Sequence, residues 1–149
     1  MATQKWGATY TSRGTLLTTE IDSLATATYS AASAAYDNSS NLDQWGFLVL
    51  KLGSYTPTTG ATWTFFFLQS ADATNYEDVP SSTNPGTHLL SVSVTVNVAA
   101  TAKLVETQPF LLPPGKFKLV ALNSSGATTT AGGGTGNTVT LYTANLSVA

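Results

Sequence analysis

The one histidine of the chain, His88, follows a Pro85-Gly86 turn, and eight acidic residues are the other groups suited to moving protons or holding a metal. A catalytic triad or a histidine metal site needs partners that a single histidine in a cysteine-free chain does not have. His88 therefore reads as a surface or edge histidine. Asp72-Ala73-Thr74-Asn75-Tyr76-Glu77-Asp78 gathers oxygen-bearing side chains in one loop, the chemistry a hard cation such as calcium requires. Its spacing is not that of an EF-hand, and acidic loops of this kind are ordinarily just solvated. Glu20 with Asp22, or Glu77 with Asp78, would be the pairs for glycosidase-type acid/base work, but neighbours such as Glu77 and Asp78 point to opposite faces of a strand. No serine stands in a Gly-x-Ser-x-Gly elbow, and Gly132-Gly133-Gly134-Thr135-Gly136 lacks the Lys-Ser/Thr of a phosphate loop. The expectation is binding without catalysis, and without a metal or cofactor.

Aromatic residues offer a different chemistry. Trp6, Tyr10, Tyr55 and Tyr76 fall at arm or loop positions, where large rings stack on a sugar or anchor an interface, with packing against their own chain as the alternative. Arg13 joins Trp6 and Tyr10 as a candidate anchor. Only 9% of residues are charged and the net charge is -2, so there is no basic field for nucleic acid and no polybasic patch for an anionic membrane. Met1-Ala2-Thr3-Gln4-Lys5-Trp6-Gly7 has no charged-then-apolar leader pattern, and no later stretch has the length of a membrane-spanning helix. With no cysteine, the chain is expected to fold in a reducing cytoplasm without disulfides.

The elements that must position these residues read as strands. Threonine occurs 26 times and, with Val, Tyr, Phe and Trp, favours pleated half-buried strands over helices. Residues 1–14 show neither helix nor strand period and read as an N-terminal arm. Residues 15–149 read as a single domain, the size of one core. One or two short strands are expected in 15–29, a helical turn at Ala31-Ala32-Ser33-Ala34-Ala35, and a turn at Asp37-Asn38-Ser39-Ser40-Asn41. Residues 88–98 alternate, with Leu90, Val92, Val94, Val96 and Val98 to one side. Residues 116–122 repeat the pattern after a Pro113-Pro114-Gly115 turn. A weaker strand is expected over 101–110, with Lys103 and Glu106 partly exposed. In 138–148 the parity slips near Leu141, which predicts a bulge or a change of sheet. The Gly/Ser/Thr segment 123–137 is expected to be a long exposed loop, and 75–87 a second one.

Two strands break the half-buried rule. Trp45-Gly46-Phe47-Leu48-Val49-Leu50-Lys51-Leu52 and Trp63-Thr64-Phe65-Phe66-Phe67-Leu68 are apolar on both parities, which requires something to cover the outward side. Either the chain itself or another subunit must supply that cover. The whole pattern predicts an all-β fold, an antiparallel two-sheet β-sandwich of jelly-roll type with an extended N-terminal arm.

Three segments carry a family resemblance. They are Tyr29-Ser30-Ala31-Ala32-Ser33-Ala34-Ala35-Tyr36-Asp37-Asn38 with Asn41-Leu42-Asp43, the loop from Asp72 to Asp78, and Leu112-Pro113-Pro114-Gly115-Lys116-Phe117-Lys118-Leu119. Together they resemble a family of small tailed-bacteriophage structural proteins similar to capsid decoration (cement) proteins. The likeness spans 29–146, leaves out the arm, and rests on turn-and-strand signatures that bear on fold more than role. It implies a virion protein, made in the host bacterial cytoplasm, that attaches to the outer surface of an assembled capsid and bridges capsomers. Its implied partners are the major capsid protein and copies of itself, often as a trimer, with neither nucleic acid nor membrane. Residues 1–14 would then lie across a neighbouring subunit or the capsid protein, held by Trp6, Tyr10 and Arg13. No catalytic residues come with the resemblance. The alternatives are a carbohydrate-binding module on a phage tail or host-recognition structure, and a tail or head-completion connector present in few copies.

Overall fold

The computed structural model describes residues 4–6, 10–79, 81–86, 88–132 and 136–148, with the backbone alone for 4–6 and 146–148. The threonine-rich and aromatic stretches form β1 (Gln4–Trp6), β2 (Thr11–Leu17), β3 (Thr28–Tyr29), β4 (Tyr36–Asp37), β5 (Trp45–Leu52), β6 (Thr62–Gln69), β7 (His88–Thr95), β8 (Lys103–Glu106), β9 (Phe110–Leu111), β10 (Lys116–Ser124), β11 (Thr138–Ala144) and β12 (Leu146–Val148). Among the described residues the helical content is one 3₁₀ turn at Thr19–Ile21.

Among the described residues every pairing is antiparallel. One sheet has the order β2-β11-β5-β8, with β9 also on β5, and the other has β3-β10-β6-β7, with β4 also on β10. We call them the β5 sheet and the β6 sheet. Their partners nest in sequence: β6 with β7, β5 with β8, β3 with β10, and β2 with β11. The chain is thus one long antiparallel ribbon folded over on itself, which is the jelly-roll order expected from the sequence. Between the sheets, Leu17, Leu48, Leu50, Leu52, Val139 and Leu141 from one side meet Trp63, Phe65, Phe67, Phe117 and Leu119 from the other, all fully buried. One wall of the core is aliphatic and the other largely aromatic.

The arm is extended because it is paired. Residues 11–14 belong to β2 on the edge of the β5 sheet, and β1 pairs with β12 in a separate two-stranded ribbon, while residues 1–3 and 7–9 lie outside the described ones. The bulge expected within β11 near Leu141 is not there: β11 keeps an unbroken register with β5 from Thr138 to Ala144, with Val139, Leu141 and Thr143 facing the core, and the irregularity lies on the neighbouring strand. In the pairing of β11 with β2 the register shifts between Leu141 and Tyr142, so that Arg13 is the extra residue of a bulge beside Gly14, whose φ is +103°. A bulge re-aims the side chain it carries, and glycine takes this backbone without strain. The change of sheet follows at Asn145, between β11 and β12.

Four local expectations are corrected. The Ala31–Ala35 segment makes no helical turn, because Ser30 and Ser33 run beside β10 and exchange bonds with it: their amides donate to Ala121 O and Leu119 O at 2.8 and 2.9 Å, and their hydroxyls accept the amides of Ala121 and Leu119 at 3.0 and 2.9 Å. The unpaired edge of β10 outweighs a weak local helix preference. Lys103 is buried, its ammonium donating to the carbonyls of Ala99 and Thr101, and Leu104 takes the exposed position instead. Val98 is exposed because β7 ends at Thr95. The 123–137 segment is anchored at both ends by polar groups, since Thr129 donates to Ile21 O at 2.7 Å and buried Asn137 donates to the Asp22 carboxylate at 2.6 Å. These bonds hold Thr129 and Asn137 in place in a segment that has few apolar side chains to bury.

Candidate functional site

On β5, Gly46, Leu48, Leu50 and Leu52 point into the core, so Trp45, Phe47, Val49 and Lys51 line the outer face. Phe47 stands opposite Tyr142 of β11, and their rings stack with centroids 5.3 Å apart. Tyr10 closes on the same ring edge-on at 4.7 Å. On the other side of β5, Leu111 pairs with Trp45 and Leu104 with Lys51. Tyr10, Leu104 and Leu111 are 56%, 69% and 65% exposed. Tyr10, Phe47, Tyr142, Trp45 and Leu111 make an apolar, largely aromatic patch at the Trp45–Phe47 end of β5, while toward the other end Lys51 and Glu106 place charges beside Val49 and Leu104.

The patch has relief because its edge strand is interrupted. Thr107 takes over the pairing of Leu48, accepting its amide through Oγ1 at 3.0 Å and donating its own amide to Leu48 O at 3.0 Å, and Pro109, which has no N–H, then breaks the ladder. The gap between β8 and β9 leaves a cleft of about 210 Å³ lined by Tyr10, Trp45, Gly46, Phe47 and Pro109. A second groove, about 490 Å³, runs between Trp45, Leu111, Leu112, Pro114 and Leu42, with Asn38, Asp43 and Gln44 at its polar end. Leu42 has φ +50° and is 64% exposed. This left-handed residue closes the turn before β5, its amide donating to Asn38 O at 2.8 Å.

A polar clasp holds this end of the face rigid. The bulge in β2 aims Arg13 at Asp43, with Nε and a terminal nitrogen 2.7 and 2.8 Å from the two carboxylate oxygens, and Nε also reaches Thr143 Oγ1 at 3.0 Å. Asn145 donates to the same carboxylate at 3.0 Å, and fully buried Asn38 bonds the Asp43 backbone on both its amide and carbonyl. Burial by itself would raise the Asp43 carboxyl, but the Arg13, Thr143 and Asn145 hydrogen bonds and the guanidinium charge outweigh it, so its pKa lies below the ordinary value. The bond to Asp43 likewise raises the Arg13 guanidinium. Arg13 thus ties β2 to the turn before β5 and to the end of β11.

The β6 sheet shows the opposite outcome. Phe66 points outward yet is only 7% exposed, and Leu68 and Val120 on that face are fully buried. Tyr29 and His88 cover Phe66 at 5.8 and 5.0 Å, and the Tyr29 amide donates to Ser81 O at 2.8 Å as the loop after β6 returns across the sheet. In that loop Tyr76 is half-buried beneath the Lys118 ammonium, 4.7 Å from its ring centre, and loss of solvent raises its phenol pKa.

Of the five residues singled out as interface anchors, Tyr10 lies on the open face. Arg13 is engaged within its own chain, and Tyr55 is buried, its hydroxyl accepting the Trp63 indole N–H at 3.2 Å. Tyr76 belongs to the cover of the other sheet, and the side chain of Trp6 lies outside the described residues. The carboxylates weighed for acid/base or cation chemistry serve turns: Glu20 accepts the Thr18 amide, Glu77 that of Gly86, and Asp72 those of Thr74 and Asn75. These amide bonds, first that of Asn75, hold the Asp72 carboxyl well below its usual range. Leu42, Leu104, Leu111 and Tyr142 were not legible as face residues. For Leu104 the lysine beside it misled the reading, because Lys103 is buried with its ammonium on the Ala99 and Thr101 carbonyls and so reverses the expected facing.

Compared with known proteins, the chain matches no protein-family profile and no curated protein.

Proposed function

We propose that the chain is a non-enzymatic structural protein of a phage virion, one that decorates the outer surface of the capsid and bridges neighbouring capsomers. The observation that carries this reading is the outer face of β5, where Tyr10 and Leu111 stay more than half exposed beside the stacked rings of Phe47 and Tyr142 among the described residues, while the outer face of the other sheet is covered. A rigid face of aromatic and leucine side chains, with few charges to desolvate, suits a permanent seat on a large protein surface. Low charge over the rest of the molecule suits crowding on a lattice. The segments that resemble decoration proteins agree with this use.

The test is to add the purified protein to capsids that lack it and measure bound copies per particle, together with a copy count from intact virions. Saturable binding at lattice stoichiometry, lost in Phe47→Glu, is the expected result. A count of only a few copies would instead indicate a tail or head-completion connector. One feature favours a second reading: the cleft beside Tyr10 and Phe47 opens toward Glu106, Thr107 and Gln108, a mix of rings and polar groups that fits a sugar. Specific signals on a glycan array that vanish in Tyr10→Ala would favour a carbohydrate-binding module.

A further inference from the structure

Strand β7 ends the β6 sheet and, among the described residues, pairs only with β6. Its register shifts at Leu89, which bulges out and leaves residues 90–95 as a regular run opposite residues 62–67. The run reads Leu-Ser-Val-Ser-Val-Thr, with no charge and no proline. Sheet edges in natural proteins normally carry lysine, proline or a bulge in mid-strand, because a free row of N–H and C=O groups is a template for another strand. None of these devices interrupts residues 90–95.

The core side of the same strand is incompletely sheltered. Leu90, Val92 and Val94 pack against the core but stay half-buried, while Trp63, Phe65 and Phe67 on the adjacent strand are fully buried. Val105 on β8, at the corresponding edge of the facing sheet, is half-buried too. A strand laid along β7 would pair its outer backbone groups and cover those side chains together.

We propose that this strand is β7 of a second copy of the chain, paired antiparallel about a two-fold axis so that the two β6 sheets become one continuous sheet. Antiparallel self-pairing brings residues of equal parity together. Leu90, Val92 and Val94 of one copy then border the same three of its partner, and Ser91, Ser93 and Thr95 border theirs. No like charges meet, and hydroxyl pairs across antiparallel strands are favourable. The 2.8 Å bond between Thr64 and Ser93 already makes such a pair one strand further in. Another protein would have to supply an uncharged strand of matching pattern and length, about 20 Å, and a second copy has one of necessity. The contact uses an edge and leaves the outer face of β5 free, so it stands or falls separately from the capsid-binding role.

Sedimentation of the full chain over a range of concentrations should show a reversible monomer–dimer equilibrium. Ser91→Lys with Ser93→Lys places ammonium groups against one another across the axis and should weaken the dimer about tenfold or more, whereas Ser91→Thr should not. Because the chain has no cysteine, Ser91→Cys should cross-link only to itself with a short bis-maleimide. Hydrogen exchange on the unaltered protein needs no variant: alternate amides in 90–95 should gain protection as concentration rises. A monomer at every concentration, a dimer indifferent to both lysines, or protection that grows on the β5 face instead would overturn the proposal. A monomer that instead captures an extended peptide along β7 would do the same and point to a strand from another protein.

Discussion

Strands β5 and β6 begin from the same local pattern, apolar on both sides, and end in opposite states. Phe66 of β6 lies under Tyr29 and His88 at 7% exposure, whereas the rings around Phe47 of β5 meet Tyr10 and Tyr142 in a patch that still faces solvent. The loop after β6 is long enough to fold back over its own sheet, while β8 and β9 reach only the edge of β5 and are interrupted between them. An apolar outward face is therefore a candidate contact only where the described residues leave it exposed.

The contrast is open to direct attack. The largest effect belongs to Phe66→Ala, which removes a ring that is only 7% exposed and should cost about 3–5 kcal/mol in urea unfolding. Phe47→Ala should cost less than half as much, since its ring is already partly in water, and equal losses would erase the distinction between the faces. Next comes Asp43→Ala, which strands Arg13 in a partly buried position and should cost about 2–4 kcal/mol, read as a lower unfolding midpoint. Tyr10→Ala should leave stability within about 0.5 kcal/mol of the parent. Under the proposed capsid role, the same change should weaken binding to capsids by about tenfold to a hundredfold, and a variant that binds as well as the parent would remove Tyr10 from the contact.

The smallest effect is pH dependence. Asp43 has its pKa lowered in the folded state, so its contribution is complete above the unfolded value near 4 and fades as pH falls through the folded value. Urea midpoints measured downward from about pH 4 should fall in the parent and fall less steeply in Asp43→Asn. Asp72 is shifted in the same direction and leaves a residual slope in both.

The two-sheet architecture was legible because alternation is a local property: the inward sets of β5, β10 and the start of β11 can be read directly from side-chain parity. The doubled parity of 45–52 and 63–68 was equally plain, and it located both candidate faces. Arg13 was legible as important but not as a clasp, since its partner Asp43 is brought to it only by a bulge in β2. Tyr55 sat in a loop by sequence and in the core by structure, because the indole of Trp63, eight residues on, needed a buried acceptor.

By itself, then, the sequence determined the class of fold and the two strands that are apolar on both sides, all set by neighbours within a few residues. Which of those strands stays open was decided only in three dimensions. The cover of Phe66 comes from Tyr29 and His88, and the walls of the β5 patch come from Tyr10, Leu111 and Tyr142. Side chains that distant along the chain meet only when the ribbon folds over on itself, and no period read along one strand carries that information.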